Sequence, residues 1–233
     1  SAGLLKLSRR LDDRFRVLRY DRRGYGRSTP HDGPFTMPHQ VVDLTDVLRE
    51  HPPVARPHVV VGHSYGGNVA LATAQRHPHL VDALVLYESP LSWRSWWPHG
   101  RSGTAADDWT HDPAAAAEGF MRSLIGDDKW ARLPRSSREA RRREGAAMVA
   151  ELVDLRANAP WRAEEIVTPV LALYGQCGLP HHRRAAETVA DEIVGAEVFG
   201  VAGAAHFGPN TEPDAVAALV SGFARRLDQA DIG

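Results

Sequence analysis

Cysteine is nearly missing from this sequence: Cys177 is the only one in 233 residues. That excludes an intrachain disulfide and a cysteine-based metal site, and it suits a reduced, cytoplasmic setting. A lone thiol just past an apolar run reads as packing rather than chemistry. Lysine is almost as scarce, with Lys6 and Lys129 alone. The remaining basic residues are arginines, and they offset the acids to a formal net charge of -1. Such a chain has no bulk attraction for nucleic acid or for an anionic membrane. No apolar run reaches the length of a membrane span. What is present is an ordinary apolar share, 43% of residues, enough to bury one domain core with an insertion.

Short β-rich runs alternate with helical stretches. Phe15-Arg16-Val17-Leu18-Arg19-Tyr20 is a strand candidate, and His58-Val59-Val60-Val61-Gly62-His63 a stronger one. The second is nearly all apolar, as a strand covered on both faces should be. Runs 83–87, 169–174 and 196–201 repeat the type. Helical spacing marks residues 3–12, 37–50, 65–77 and 212–227, with Val41, Leu44, Val47 and Leu48 on one face of the second stretch. Strand–helix alternation with apolar strands argues for an α/β fold, a mostly parallel sheet flanked by helices.

Residues 89–165 break that rhythm. They hold Trp93, Trp96, Trp97, Trp109 and Trp130, several Gly and Pro, and an arginine-rich stretch near 135–143, with no strand evident. The expectation is a helical lid or cap inserted between two core segments, 1–88 and 166–233. A lid would line a pocket with its aromatics, and the arginine run would be a solvated helix face.

The strongest chemical signal is Gly62-His63-Ser64-Tyr65-Gly66-Gly67. It fits G-x-S-x-G and lies directly between a buried strand and a helix. A serine nucleophile must stand on a tight strand-to-helix turn, and only glycine on either side avoids collision. The turn lifts the hydroxyl clear of the sheet, and the helix N-terminus offers N–H groups to a developing oxyanion. The Tyr65 N–H is the expected oxyanion donor from this side.

With that motif in context, the chain resembles the α/β-hydrolase family over essentially its whole length. Tyr20-Asp21-Arg22-Arg23-Gly24-Tyr25-Gly26-Arg27-Ser28 is similar to the family's stretch after the strand preceding the elbow, where the residues shape a turn rather than react. Gly203-Ala204-Ala205-His206 follows the last strand, where the family places its histidine. The resemblance implies that His206 takes the Ser64 proton and returns it to the leaving group. His63 is expected to point away from the elbow, and His181 and His182 to lie on the surface.

The acid departs from the common pattern. The family places an Asp or Glu a few residues after the strand that here is 169–174. The local residues are Gly175-Gln176-Cys177-Gly178-Leu179-Pro180, with Gly178 in the expected position. Glu88, at the end of strand 83–87, is the substitute, because some α/β-hydrolases carry their acid after this earlier strand. Catalytic groups of open α/β sheets gather at that edge. The competing reading is a strand-end glutamate that merely caps the insertion.

The family also begins with further strands, which would take roughly 25–40 residues and would supply a second oxyanion donor. The chain opens at Ser1 in the helix that follows them. One expectation is a separate N-terminal fragment of the same protein that stays docked; the other is that the segment was lost by truncation. The functional expectation is a serine hydrolase acting on an ester, thioester or lactone of a small, hydrophobic substrate through an acyl-enzyme. No metal and no cofactor are implied. The competing readings are an acyltransferase or cyclase on the same triad, and a non-catalytic binding protein on the same fold.

Overall fold

The computed structural model describes residues 4–98 and 111–230. Trp109 and the middle of the expected insertion, 99–110, lie outside the described residues. The elements run α1 Leu5–Leu11, α2 Met37–Glu50, β1 Val59–His63, α3 Tyr65–Arg76, β2 Ala83–Tyr87, α4 Pro113–Ile125 and α5 Asp127–Arg132. They continue with α6 Arg135–Arg143, α7 Gly145–Ala157, β3 Val170–Gly175, α8 Pro180–Glu192, β4 Glu197–Val201, α9 Gly208–Thr211 and α10 Pro213–Ala230.

Among the described residues the sheet has four strands in the order β1-β2-β3-β4, all parallel. Every residue of β2 is buried, which accounts for its unbroken apolar run. Side chains alternate across a strand. Ala83, Val85, Tyr87, Leu171 and Leu173 therefore share one core cluster with Leu7 and Leu11 of α1 and Val216, Val220 and Phe223 of α10. Leu84, Leu86, Val170 and Ala172, also buried, are left for the opposite face. Helix α3 packs against β1 and β2, and α8 against β3 and β4. This is an α/β fold with a parallel sheet flanked by helices.

One expected strand is not formed. Residues 15–20 make no ladder in the structure. A strand exists only through a hydrogen-bonded neighbour, and this segment has none among the described residues; apolar composition alone cannot supply one.

The register sets the functional edge. His63 of β1 pairs with Tyr87 of β2, Tyr87 with Leu173 of β3, and Gly175 with Val201 of β4. The strands therefore run out at nearly the same level, and the residues that follow each of them emerge along one carboxyl edge.

The chain divides into two compact units. The first contains Ser1–Tyr20, Val41–Leu91 and Pro160–Gly233; the second contains Asp21–Gln40 and Ser92–Ala159. Within the second unit the buried Glu151 carboxylate is paired with the Arg22 guanidinium and accepts hydrogen bonds from Tyr25 Oη at 2.6 Å and Gln40 Nε2 at 2.8 Å. This is where the Tyr20–Ser28 stretch spends its polar groups, in holding structure. Trp130 of the same unit is buried and donates its indole N–H to Glu118 at 3.0 Å. No helix among the described residues is long and apolar enough to cross a membrane.

Candidate active site

His63 ends β1 and α3 begins at Tyr65, so the chain must reverse at Ser64. A Cβ on Gly62 would come within 2.5 Å of the Gly67 Cα, a separation real side chains do not reach. Glycine at both places lets the strand and the helix touch. Ser64, between them, takes φ 54° and ψ -129°, outside the regions open to most L-residues. Its N–H donates to the Tyr87 carbonyl at 2.9 Å, which ties the turn to β2. Tyr65 opens α3, where first-turn N–H groups have no intrahelical partner.

Glu88 follows β2 with φ 48°. Ser64 and Glu88 are the two non-glycine residues with positive φ among the described residues. Such strain costs of order 1–3 kcal/mol per residue and persists where the surroundings enforce it. Here its backbone N–H donates to the Leu173 carbonyl at 2.9 Å, and the side chain is 1% exposed. One carboxylate oxygen, Oε1, accepts from the Gly175 N–H at 2.8 Å. The other, Oε2, lies 2.7 Å from His206 Nδ1. Burial raises the Glu88 pKa, but the adjacent His182 and His206 imidazoles and the Gly175 N–H outweigh it and hold the carboxyl well below its usual range. The group is ionised at neutral pH.

His206 is buried on the loop after β4. Burial lowers its pKa from 6.5, against the upward pull of the Glu88 hydrogen bond. With Nδ1–H donated to Glu88, Nε2 keeps its lone pair and is the basic nitrogen. Its backbone is held from two sides. Tyr87 Oη donates to the Ala205 carbonyl at 2.8 Å, and His63 Nε2 donates to the His206 carbonyl at 2.7 Å.

His63 thus departs from expectation. It does not turn away but packs against His206, with ring centroids 4.8 Å apart. Burial, then the neighbouring His206, pushes its pKa down to about 3, so it is a neutral donor.

His182 is the second correction. It is 5% exposed, not on the surface, and its Nδ1 lies 2.7 Å from Glu88 Oε2. The signal was present in the sequence: His182, Ala185, Ala186 and Val189 are spaced as one helix face, and all four are buried on α8. His181, its neighbour, is partly buried, and burial lowers its pKa to about 4.

Asn68 of α3 fastens the surroundings. It is fully buried, donates to the Pro90 carbonyl at 2.8 Å and accepts from Trp161 Nε1 at 2.8 Å. Helix α3 and the segment that follows Glu88 are therefore clamped together.

A buried imidazole held by an ionised carboxylate, and a strained serine at a helix N-terminus on the same carboxyl edge of the sheet, are groups that acyl-transfer chemistry uses. The comparisons with known proteins agree with that class. The model of the alpha/beta hydrolase fold family matches residues 4–174, and the chain belongs to that family. It is 30% identical over 185 residues to a pimeloyl-[acyl-carrier protein] methyl ester esterase of Aromatoleum aromaticum, covering 72% of this chain and 74% of that protein. Several other curated relatives match over shorter stretches, between 22% and 42% of their own length. Among solved structures, the enol-lactonase from Burkholderia xenovorans LB400 superposes with a TM-score of 0.73 at 26% identity, over 95% of this chain and 85% of that one. A thermophilic esterase from Thermogutta terrifontis, 22% identical with a TM-score of 0.76 over 97% of this chain and 85% of that one, shows the same fold. These relatives support a carboxylic ester hydrolase.

Proposed function

We propose that Ser64, His206 and Glu88 form the catalytic triad of a hydrolase acting on esters or lactones of small, hydrophobic acids. The observation that carries this reading is the 2.7 Å contact between His206 Nδ1 and a buried, ionised Glu88, in a base that follows the last strand. Ser64 Oγ attacks the substrate carbonyl carbon while His206 Nε2 takes the hydroxyl proton. The tetrahedral oxyanion is stabilised by the Tyr65 N–H at the start of α3. Collapse breaks the ester C–O bond, and His206 returns its proton to the departing alkoxide. Water then attacks the acyl-enzyme, giving its proton to His206, and the acid leaves as Ser64 recovers its hydrogen. In a lactone the departing alkoxide stays joined to the acyl group, so a single hydroxy acid is released. Glu88 keeps the imidazole in the tautomer that can accept and stabilises the imidazolium once formed.

The preference for small apolar acyl groups leans on the aromatic-rich composition of the 89–165 stretch and on the ester and lactone chemistry named for the relatives. A fluorophosphonate probe, followed by peptide mass spectrometry, tests the nucleophile. Stoichiometric labelling at Ser64, lost in Ser64→Ala, is expected. A folded protein that neither labels nor cleaves any p-nitrophenyl ester from acetate to octanoate, nor any γ- or δ-lactone, is a binding protein instead.

A further inference from the structure

Glu88 must reach across β3. It leaves the end of β2, while His206 follows β4, and β3 lies between them in the sheet. The residues after β3 make that crossing possible. A Cβ on Gly178 would stand 2.8 Å from Glu88 Oε1, so the glycine leaves the space the carboxylate fills. The Gly175 N–H holds the same oxygen at 2.8 Å. The first turn of α8 then brings His182 Nδ1 to 2.7 Å from the other oxygen, Oε2, the one that also faces His206.

We propose that His182 is a positioning residue that fixes the Glu88 carboxylate for His206, so that two imidazoles share one oxygen and one of them serves the reaction. This rests on the triad reading above. A glutamate reaching from a neighbouring strand has a broad, weakly restrained terminal torsion. Contacts from Gly175 and His206 alone fix Oε1 but leave Oε2 to follow any movement of the catalytic imidazole. His182 comes from a helix and belongs to its buried face, so it supplies a third point that does not move with the base. An ionised carboxylate has acceptor capacity for all three donors.

The same three side chains could in principle grip a cation, since their ligand atoms lie within 4.8 Å of one another. The spacing argues for protons instead. Both nitrogens sit at 2.7 Å from Oε2, His206 Nδ1 in a hydrogen bond and His182 Nδ1 in an ion-pair contact of the same length. Ligands on a tetrahedral zinc at about 2.0–2.1 Å would stand roughly 3.3 Å apart.

Two substitutions and one spectrum test the assignment. His182→Leu keeps bulk and removes the donor; His182→Asn puts an N–H near the place of Nδ1. With p-nitrophenyl acetate, His182→Leu is expected to lose about ten- to a hundredfold in kcat with KM within about twofold, and His182→Asn to recover most of that loss. An unchanged kcat in His182→Leu, or an Asn variant as poor as Leu at the same melting temperature, overturns the positioning role. The unsubstituted protein gives an independent readout. Its proton NMR spectrum should show two downfield imidazole Nδ1–H resonances, both displaced in Glu88→Gln; a single one overturns the proposal. Loss of wild-type activity in EDTA, restored by zinc, also overturns it. An unsubstituted protein that neither turns over nor labels at Ser64 refutes the triad itself, a different failure from a working triad indifferent to position 182.

Discussion

Glu88→Gln isolates the electrostatic part of the proposed mechanism while nearly preserving shape. Its effect can be worked out from the two hydrogen-bonding edges of the carboxylate. Oε1 accepts from the Gly175 N–H and Oε2 faces His206 Nδ1. An amide can satisfy only one of these as an acceptor. With its oxygen toward Gly175, its NH2 meets the Nδ1 of His206, which must then become an acceptor and carry its proton on Nε2. That tautomer cannot take the Ser64 proton, and the comparable change in a serine triad costs about 10⁴-fold in kcat, or about 5 kcal/mol of barrier. With the amide flipped, His206 keeps its working tautomer, but the buried Gly175 N–H faces another donor. That costs about 1–3 kcal/mol, and the imidazolium loses its counter-charge as well. The cheaper arrangement wins, so kcat should fall by between about 10² and 10⁴. Initial rates on p-nitrophenyl acetate at pH 8, normalised to circular-dichroism-verified folded protein, measure it. A folded variant within fivefold of the original would refute Glu88 as the acid.

Other outcomes follow from the same geometry. Gly178→Ala places a Cβ 2.8 Å from Glu88 Oε1; the displaced carboxylate should cost about ten- to a hundredfold in kcat with little change in melting temperature. For pH dependence, only neutral His206 can accept a proton, and burial lowers its pKa from 6.5. kcat/KM should therefore rise with pH and reach half its plateau below pH 6.5, and a midpoint above 7 contradicts the burial argument. Stability should move the same way. His63 is neutral in the fold down to about pH 3, whereas its unfolded form takes up a proton below 6.5. Over that interval the unfolded state binds more protons, so this group alone removes about 1.4 kcal/mol of stability per pH unit as pH falls, which urea midpoints at pH 7 and 5 would reveal. Glu151→Ala removes the buried carboxylate that pairs with Arg22 and accepts from Tyr25 and Gln40, and thermal melting should show a loss of about 3–5 kcal/mol.

Much of the fold was legible because burial on two faces leaves a plain mark. The runs at 58–63, 83–87, 169–174 and 196–201 became β1 to β4 within a residue at each end. Residues 15–20 carried a similar composition and formed no strand, since pairing depends on a neighbour that composition does not encode. In the site, Ser64 and His206 were marked by position after a strand, which local sequence records. The Glu88–His206 contact joins residues 118 apart. It could be inferred only from what was missing at Gly178. His182 was passed over because its place at the opening of a helix suggested exposure, although its spacing to Ala185 and Val189 marked the inward face. His63 was misjudged because the turn at Ser64 fixes where the serine points, not what lies beneath it.

The Gly178 contact has a consequence for how such sites can change over generations. The Glu88 carboxylate at the end of β2 lies where a Cβ at position 178, in the loop after β3, would crowd it. A side chain at position 178 would push the Glu88 carboxylate from its present place. A lineage that gains a side chain at position 178 while it keeps Glu88 therefore passes through a protein with a crowded pair. Sequences of this kind should therefore hold glycine at the one place whenever they hold glutamate at the other. A single unoccupied Cβ would then report the location of a charge on a different strand.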